Sequence, residues 1–254
     1  MDSTSKTFTT NSVLKRFTLT GEDFLKQHPN IHAIIAGIIV FREPLDRVTS
    51  AQGPRSNIEE KGSDGEYKSH YRGKLSYPKG STPSILLVRR AATDSWPLLW
   101  ESPGGTVDPE DESIIHTAAR ELHEEANLLV KHFYCTIGLG VDHADDISQF
   151  PVSTPEVASK QAQNRSWMED DLCVFKETGD TWAKVTFLVD AQNTDDVRVR
   201  ADEHAEWRWA TEEEVRRGSF ADGAPLDFVS DGVWSTLLEA FRVRRQILAS
   251  PSEE

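Results

Sequence analysis

The sequence predicts an α/β (α+β) layered domain, and three observations carry that reading. Short apolar runs rich in Val and Ile alternate along the chain with segments whose apolar residues recur every three to four positions, so strands and helices interleave. The 254 residues are 37% hydrophobic, enough for one elaborated domain with a core of its own. Polar stretches rich in Gly, Pro and Ser punctuate the apolar ones.

Taken in order, residues 1–30 form an N-terminal extension that is Ser/Thr-rich and lacks the apolar stretch of a secretory signal. Residues 31–41 are almost continuously apolar and read as a buried strand. Residues 42–83 carry too few apolar side chains for a core and read as an insertion loop. Residues 84–90 form a second strand, and 96–101 a third apolar run ended by Pro103-Gly104-Gly105. The period then changes. Ile114, Ala118 and Leu122 recur every four residues, with Ile115, Ala119 and Ala126 on the same side, which predicts an amphipathic helix over about 111–126. Glu110, Asp111 and Glu112 crowd its start, where the helix dipole favours them. Asn127 follows its last turn and tolerates a left-handed cap.

Further on, 133–141, 172–175, 181–189 and 206–210 are strand segments, and 142–171 is a second polar insertion. Thr211 and Glu214 have capping-box spacing. Val233, Trp234, Leu237, Leu238, Phe241, Ile247 and Leu248 repeat at helical spacing, which places a closing helix on the sheet. The domain spans 31–249, and 250–254 is expected to fray.

Charge and composition exclude several function classes. With 42 acidic against 28 basic residues the net charge is -14, which repels a nucleic-acid backbone. A local basic stretch mixes Tyr67, Tyr71 and Tyr77 with Lys68, Arg72, Lys74 and Lys79; it reads as a solvated loop. No apolar run approaches the ~20 residues needed to span a bilayer. Cys135 and Cys173 are the two cysteines, too few for a disulfide framework, and read as plain buried thiols. The expected compartment is the cytoplasm, with nucleus and mitochondrion as alternatives.

The chemistry concentrates on the 111–126 helix. Glu121, Glu124 and Glu125 stand at i, i+3 and i+4, on one face and opposite the apolar stripe. Like charges so close raise one another's pKa, and a divalent cation removes the penalty. An oxygen-only donor set suits Mg²⁺ first and Mn²⁺ second. Arg120 can pair with a neighbouring carboxylate and hold it. An acidic helix face is by default a solvated one. Here it coincides with a Pro-Gly-Gly turn, Glu112 and Arg120.

This segment resembles the Nudix box. Glu112, seven residues, then Arg120-Glu121-Leu122-His123-Glu124-Glu125-Ala126 matches it directly, and Leu128 fills the last aliphatic place. Trp100-Glu101-Ser102-Pro103-Gly104-Gly105 is similar to the usual lead-in. Two departures occur: six residues rather than five separate Gly105 from Glu112, and Asn127 replaces the closing Gly. The stretch 203–215 resembles the late strand and following helix, a strand that often supplies another carboxylate. Glu203 and Glu206 both qualify, and Glu206 lies nearer the strand.

The resemblance implies an α/β/α sandwich with a mixed central sheet. It also implies a Mg²⁺- or Mn²⁺-dependent hydrolase that cleaves a diphosphate linkage in a nucleoside diphosphate derivative or related small organic diphosphate. Glu121, Glu124 and Glu125 would be metal ligands, joined by Glu112 and the Gly105 carbonyl. Glu124 or Glu206 would relay the proton, and Arg120 would orient. A homodimer is common in the family. The alternatives are a non-catalytic ligand-binding module on the same scaffold and a cap-removing RNA enzyme, the latter disfavoured by the charge. The marks of ADP-ribose, NADH and coenzyme A subgroups are absent, with Asp142 and His143 where an ADP-ribose enzyme carries its proline.

Other residues read as scaffold. His116 and His123 fall outside the motif positions, and His143 lies in a polar connection. Trp96, Trp100, Trp207 and Trp209 read as core or sheet packing.

Overall fold

The computed structural model describes residues 8–42, 82–140, 150–151 and 166–249. The elements are β1 (Thr9–Thr10), a 3-10 helix (Ser12–Thr18), α1 (Gly21–Gln27), β2 (Ala33–Val40), β3 (Ser84–Arg90), β4 (Trp100–Glu101), β5 (Gly104–Thr106), α2 (Ile114–Ala126), β6 (Leu129–Ile137), β7 (Trp167–Glu169), β8 (Leu172–Glu177), β9 (Asp180–Gln192), β10 (His204–Thr211), α3 (Glu212–Arg217) and α4 (Asp231–Ala249).

The long strand β9 organises the larger sheet. Along one edge Trp182–Val189 runs parallel to β2. Along the other, its first half pairs antiparallel with β8 and its second half antiparallel with β6. Strand β5 extends β2, β1 lies parallel on β6, and β7 closes onto β8. A smaller antiparallel sheet runs β10-β3-β4, and a bridge from Phe41 to Ile85 ties it to the end of β2.

Period-2 alternation along the central strands divides the apolar residues between two cores. Ile38 and Val40 of β2, Leu86 of β3 and Phe187 of β9 face α2, where Ile114, Ile115, Ala118, Leu122 and Ala126 cover them. Ile39, Ile85, Leu87 and Leu188 face the opposite way, against Trp234, Leu237, Leu238 and Phe241 of α4. The result is an α/β/α sandwich with a mixed sheet, the layered α/β domain of the sequence pattern in the form the resemblance implies.

Several boundaries differ from the sequence reading. Strand β6 starts at Leu129 and ends at Ile137, whereas 133–141 was expected. The turn after helix α2 leads straight into pairing with β9, so the strand begins four residues early. The Gly104–Thr106 segment is a strand, not mere punctuation; glycines carry no side-chain alternation to signal one, and pairing with β2 recruits them. Residues 167–169 of the second insertion form β7, because Trp167, Met168 and Glu169 pair with β8. The described part of the 1–30 segment packs Leu14, Phe17 and Phe24 into the α2-side core. Most of the 42–83 and 142–171 insertions, the Tyr67–Lys79 stretch, His143 and the 250–254 tail lie outside the described residues.

Both caps of the sequence reading are present. Thr211 and Glu214 close a capping box at α3. Asn127 adopts φ 59° and ψ 22°, the left-handed conformation that a closing Gly would take. Asn127→Ala should cost about 1 kcal/mol and lower Tm by about 2–4 °C, whereas Asn127→Gly should leave it near the wild-type value. Differential scanning calorimetry of the pair checks this; equal losses in both variants would mean the backbone conformation is not what matters there.

Candidate metal centre

The site is built where helix α2 crosses the β2–β5 pair. Gly104 of β5 lies opposite Gly37 and has φ 150°, a value L side chains rarely adopt. Gly105 follows, and a Cβ there would stand 2.7 Å from Glu121 Oε2. The missing side chain is therefore the space that the Glu121 carboxylate occupies. One turn on, Glu125 Oε2 accepts a 2.7 Å hydrogen bond from the Gly104 amide. The two glutamates thus straddle the diglycine, and the extra residue in the 106–111 loop has not separated them from it.

Arg120 fixes this arrangement from the side. Its Nη1 donates to Glu121 at 2.7 Å and to Glu124 at 3.1 Å. Its Nε and Nη2 each donate at 2.9 Å to the two oxygens of Asp111. Asp111 also accepts from the Thr117 hydroxyl at 2.8 Å. Ser113, not Asp111, caps α2, so the helix starts at Ile114 rather than 111. Burial works against the charged Asp111, but the Arg120 bonds, the Asp108 amide and Thr117 outweigh it and hold its pKa below the usual carboxylate value. The sequence reading gave Asp111 to the helix dipole; its partner is the arginine of the motif.

The third wall comes from the start of β10. His204, 4% exposed, places Nε2 3.0 Å from Glu125 Oε1. The ligand atoms of Glu125, Glu203 and His204 all lie within 4.8 Å of one another, a group that among the described residues does not include Glu121 or Glu124. Glu206 is not with them. It pairs with Arg89 at 2.7 Å and with Arg208 at 3.3 Å. Arg208 in turn lies over Phe220 in the α4-side core. The pairing register slips between His204 and Glu206, opposite Arg90 and Arg89. Without that bulge, alternation would put residues 204 and 206 on one face; with it, His204 faces α2 and Glu206 faces away. Glu112 also stays outside. Its side chain is 81% exposed and sits 3.4 Å from His116 Nε2.

Electrostatics follow from burial. Desolvation pushes Glu121 up to about 7, Arg120 opposes the shift, and Glu125 and Glu124 add to it. Glu125 is raised too, chiefly by desolvation, although His204 and the Gly104 amide oppose it. For His204, burial favours the neutral ring, but Glu125, Glu101 and Glu203 together lift its pKa. Glu101 is a buried neighbour that the sequence reading passed over. It is paired with Arg90, and Lys184 Nζ stands 3.8 Å away. Its signal was its place in the lead-in to the diglycine.

The remaining candidates are scaffold. His116 Nδ1 meets the Ser113 hydroxyl at 2.8 Å, at the start of α2. Trp100 is in the α4-side core, Trp207 and Trp209 pack against the α2-side core, and Trp96 Nε1 donates to Glu177. Both cysteines are free, and desolvation pushes Cys135 up to about 12 and Cys173 up to about 11, so neither is a reactive thiolate. Among the described residues no helix is long and apolar enough to cross a membrane.

Comparison with known proteins gives one family match: the NUDIX domain model matches residues 76–227. No curated protein sequence matches the chain. Among solved structures it is similar to an Ap4A hydrolase of C. elegans, at 17% identity over 85% of this chain and 98% of that one, with a TM-score of 0.41. The E. coli ORF135 protein gives 15% identity over 88% and 98%, with a TM-score of 0.43. A MutT NUDIX hydrolase of Burkholderia pseudomallei gives 14% over 75% and 92%, with a TM-score of 0.36.

Proposed function

The chain belongs to the Nudix family, and we propose that it is a dication-dependent hydrolase cleaving a diphosphate linkage in a small organic diphosphate, a nucleoside diphosphate derivative first. One observation carries the reading: Glu125 accepts from the Gly104 amide while Glu121 fills the space a Gly105 side chain would need, with Glu121 raised to about 7 by burial and by its neighbouring glutamates. Carboxylates buried together at such a cost mark a candidate cation site.

The donor set fits a dication. Glu121, Glu124 and Glu125 would hold it, with Glu203 in the place the sequence reading gives to Glu206. When bound, such an ion neutralises charge on phosphoryl oxygens and lowers the pKa of water. The chain's own residues do the rest. Asp111 fixes Arg120, and Arg120 fixes the carboxylates of Glu121 and Glu124. Glu124, 43% exposed, is the carboxylate best placed to take a proton from an incoming water. The Gly104 amide keeps one oxygen of Glu125 turned toward β5.

The test is a hydrolysis screen over nucleoside diphosphate derivatives and non-nucleotide diphosphates, with products identified. Turnover with Mg²⁺ or Mn²⁺, abolished by EDTA, is the expected result. Ligand-dependent thermal stabilisation without turnover of any compound would replace the hydrolase with a binding module.

A further inference from the structure

We infer that His204 is a nitrogen donor to the dication, and that the site therefore selects a first-row transition ion such as Mn²⁺ or Co²⁺ over Mg²⁺. The inference rests on the metal-site reading above and names the ion preference which that reading leaves open.

Three observations carry it. The His204 ring is 4% exposed; its Nδ1 has no hydrogen-bond partner among the described residues, and its Nε2 faces the Glu125 carboxylate. Buried polar groups are left in that state at a cost unless something occupies them. Its Nε2 is 3.0 Å from Glu125 Oε1. Two donors on adjacent positions of an octahedral ion, each bonded at about 2.1 Å, stand about 3.0 Å apart. Finally, Glu125, Glu203 and His204 present one ligand atom each within 4.8 Å of the others, and they come from two elements, α2 and the start of β10.

The chemistry of that set differs from oxygen alone. Mg²⁺ demands oxygen donors and dehydrates reluctantly, whereas imidazole favours the transition ions, increasingly so toward the later members of the row. Replacing one carboxylate or water by a neutral imidazole leaves the glutamates to supply the charge and shifts the selectivity.

The experiment uses the full chain stripped with EDTA and reloaded with Mn²⁺. Pulsed EPR should show nitrogen coupling to the bound ion in the wild type and none in His204→Gln. Calorimetric titration with Mn²⁺ and with Mg²⁺ should give an Mn²⁺/Mg²⁺ affinity ratio that falls at least about tenfold in the variant. Bound Mn²⁺ without nitrogen coupling overturns the inference and leaves the carboxylate site standing. A variant that loses affinity for both ions equally also overturns it, since His204 would then only position Glu125. No Mn²⁺ binding to the wild type removes the metal site itself. The wild-type EPR measurement decides the matter even if the variant folds poorly.

Discussion

Glu125→Gln should lower turnover by about 10²-fold or more, equivalent to about 2.7 kcal/mol of transition-state stabilisation. Glu125 is held by the Gly104 amide and by His204, so a glutamine of the same shape keeps the backbone contact and removes the charge. Glu124→Gln should give a loss of similar size with little effect on folding, because Glu124 is partly exposed and its contact is Arg120. Glu206→Gln is the contrast. It gives up pairs with Arg89 and Arg208 on the other face of β10, and turnover should stay within about threefold of wild type. Steady-state kinetics at saturating Mn²⁺ check the series. Wild-type turnover in both Glu124→Gln and Glu125→Gln would remove the mechanism, and a large loss in Glu206→Gln would return that residue to the site.

The second large effect is on stability, and it runs opposite to activity. Glu121 sits at about 7 in the folded protein against an ordinary 4.5. Between those values the native state holds a proton that the unfolded chain has released. Stability from this group is therefore fully present below about pH 4.5 and lost as the pH rises through about 7. Glu121→Gln removes the ionisation. At about pH 8 and without metal, the variant should be more stable than wild type by about 1–2 kcal/mol, or about 3–6 °C in Tm, allowing for screening by solvent and by Arg120. At about pH 4 the two should melt together. Saturating Mn²⁺ should reverse the order at pH 8, since the wild type gains binding energy that the variant lacks. Scanning fluorimetry with and without EDTA measures all four conditions. A variant less stable than wild type at pH 8 in EDTA would contradict the burial of a strained charge.

What was legible in the sequence is what periodicity encodes. The stripe Ile114, Ala118, Leu122 faces the core and Asn127 closes the helix, because each depends on helical geometry within one element; Glu121 and Glu125, expected opposite that stripe, lie instead buried beside it against β5. What was illegible depends on two elements meeting. Alternation along 203–210 cannot reveal a bulge, so it points to Glu206 and misses His204. The spacing of Asp111 does not say whether it serves the helix dipole or Arg120; the turn between them decides. Glycines have no pattern, so from sequence β5 reads as a turn. Leu14, Phe17 and Phe24 are sparse among polar neighbours, and their place in the core follows from packing rather than composition.

That amino-terminal docking has a consequence for how the molecule is made. Thr9 and Thr10 pair with His132 and Phe133, the Leu19 carbonyl accepts from the Ile114 amide, and Phe17 meets Phe187 edge-on. The 9–24 segment is thus satisfied by elements that lie far behind it in the chain. Its apolar side chains stay uncovered until β9 is in place, so the α2-side core closes through contacts of high sequence separation and forms late in folding.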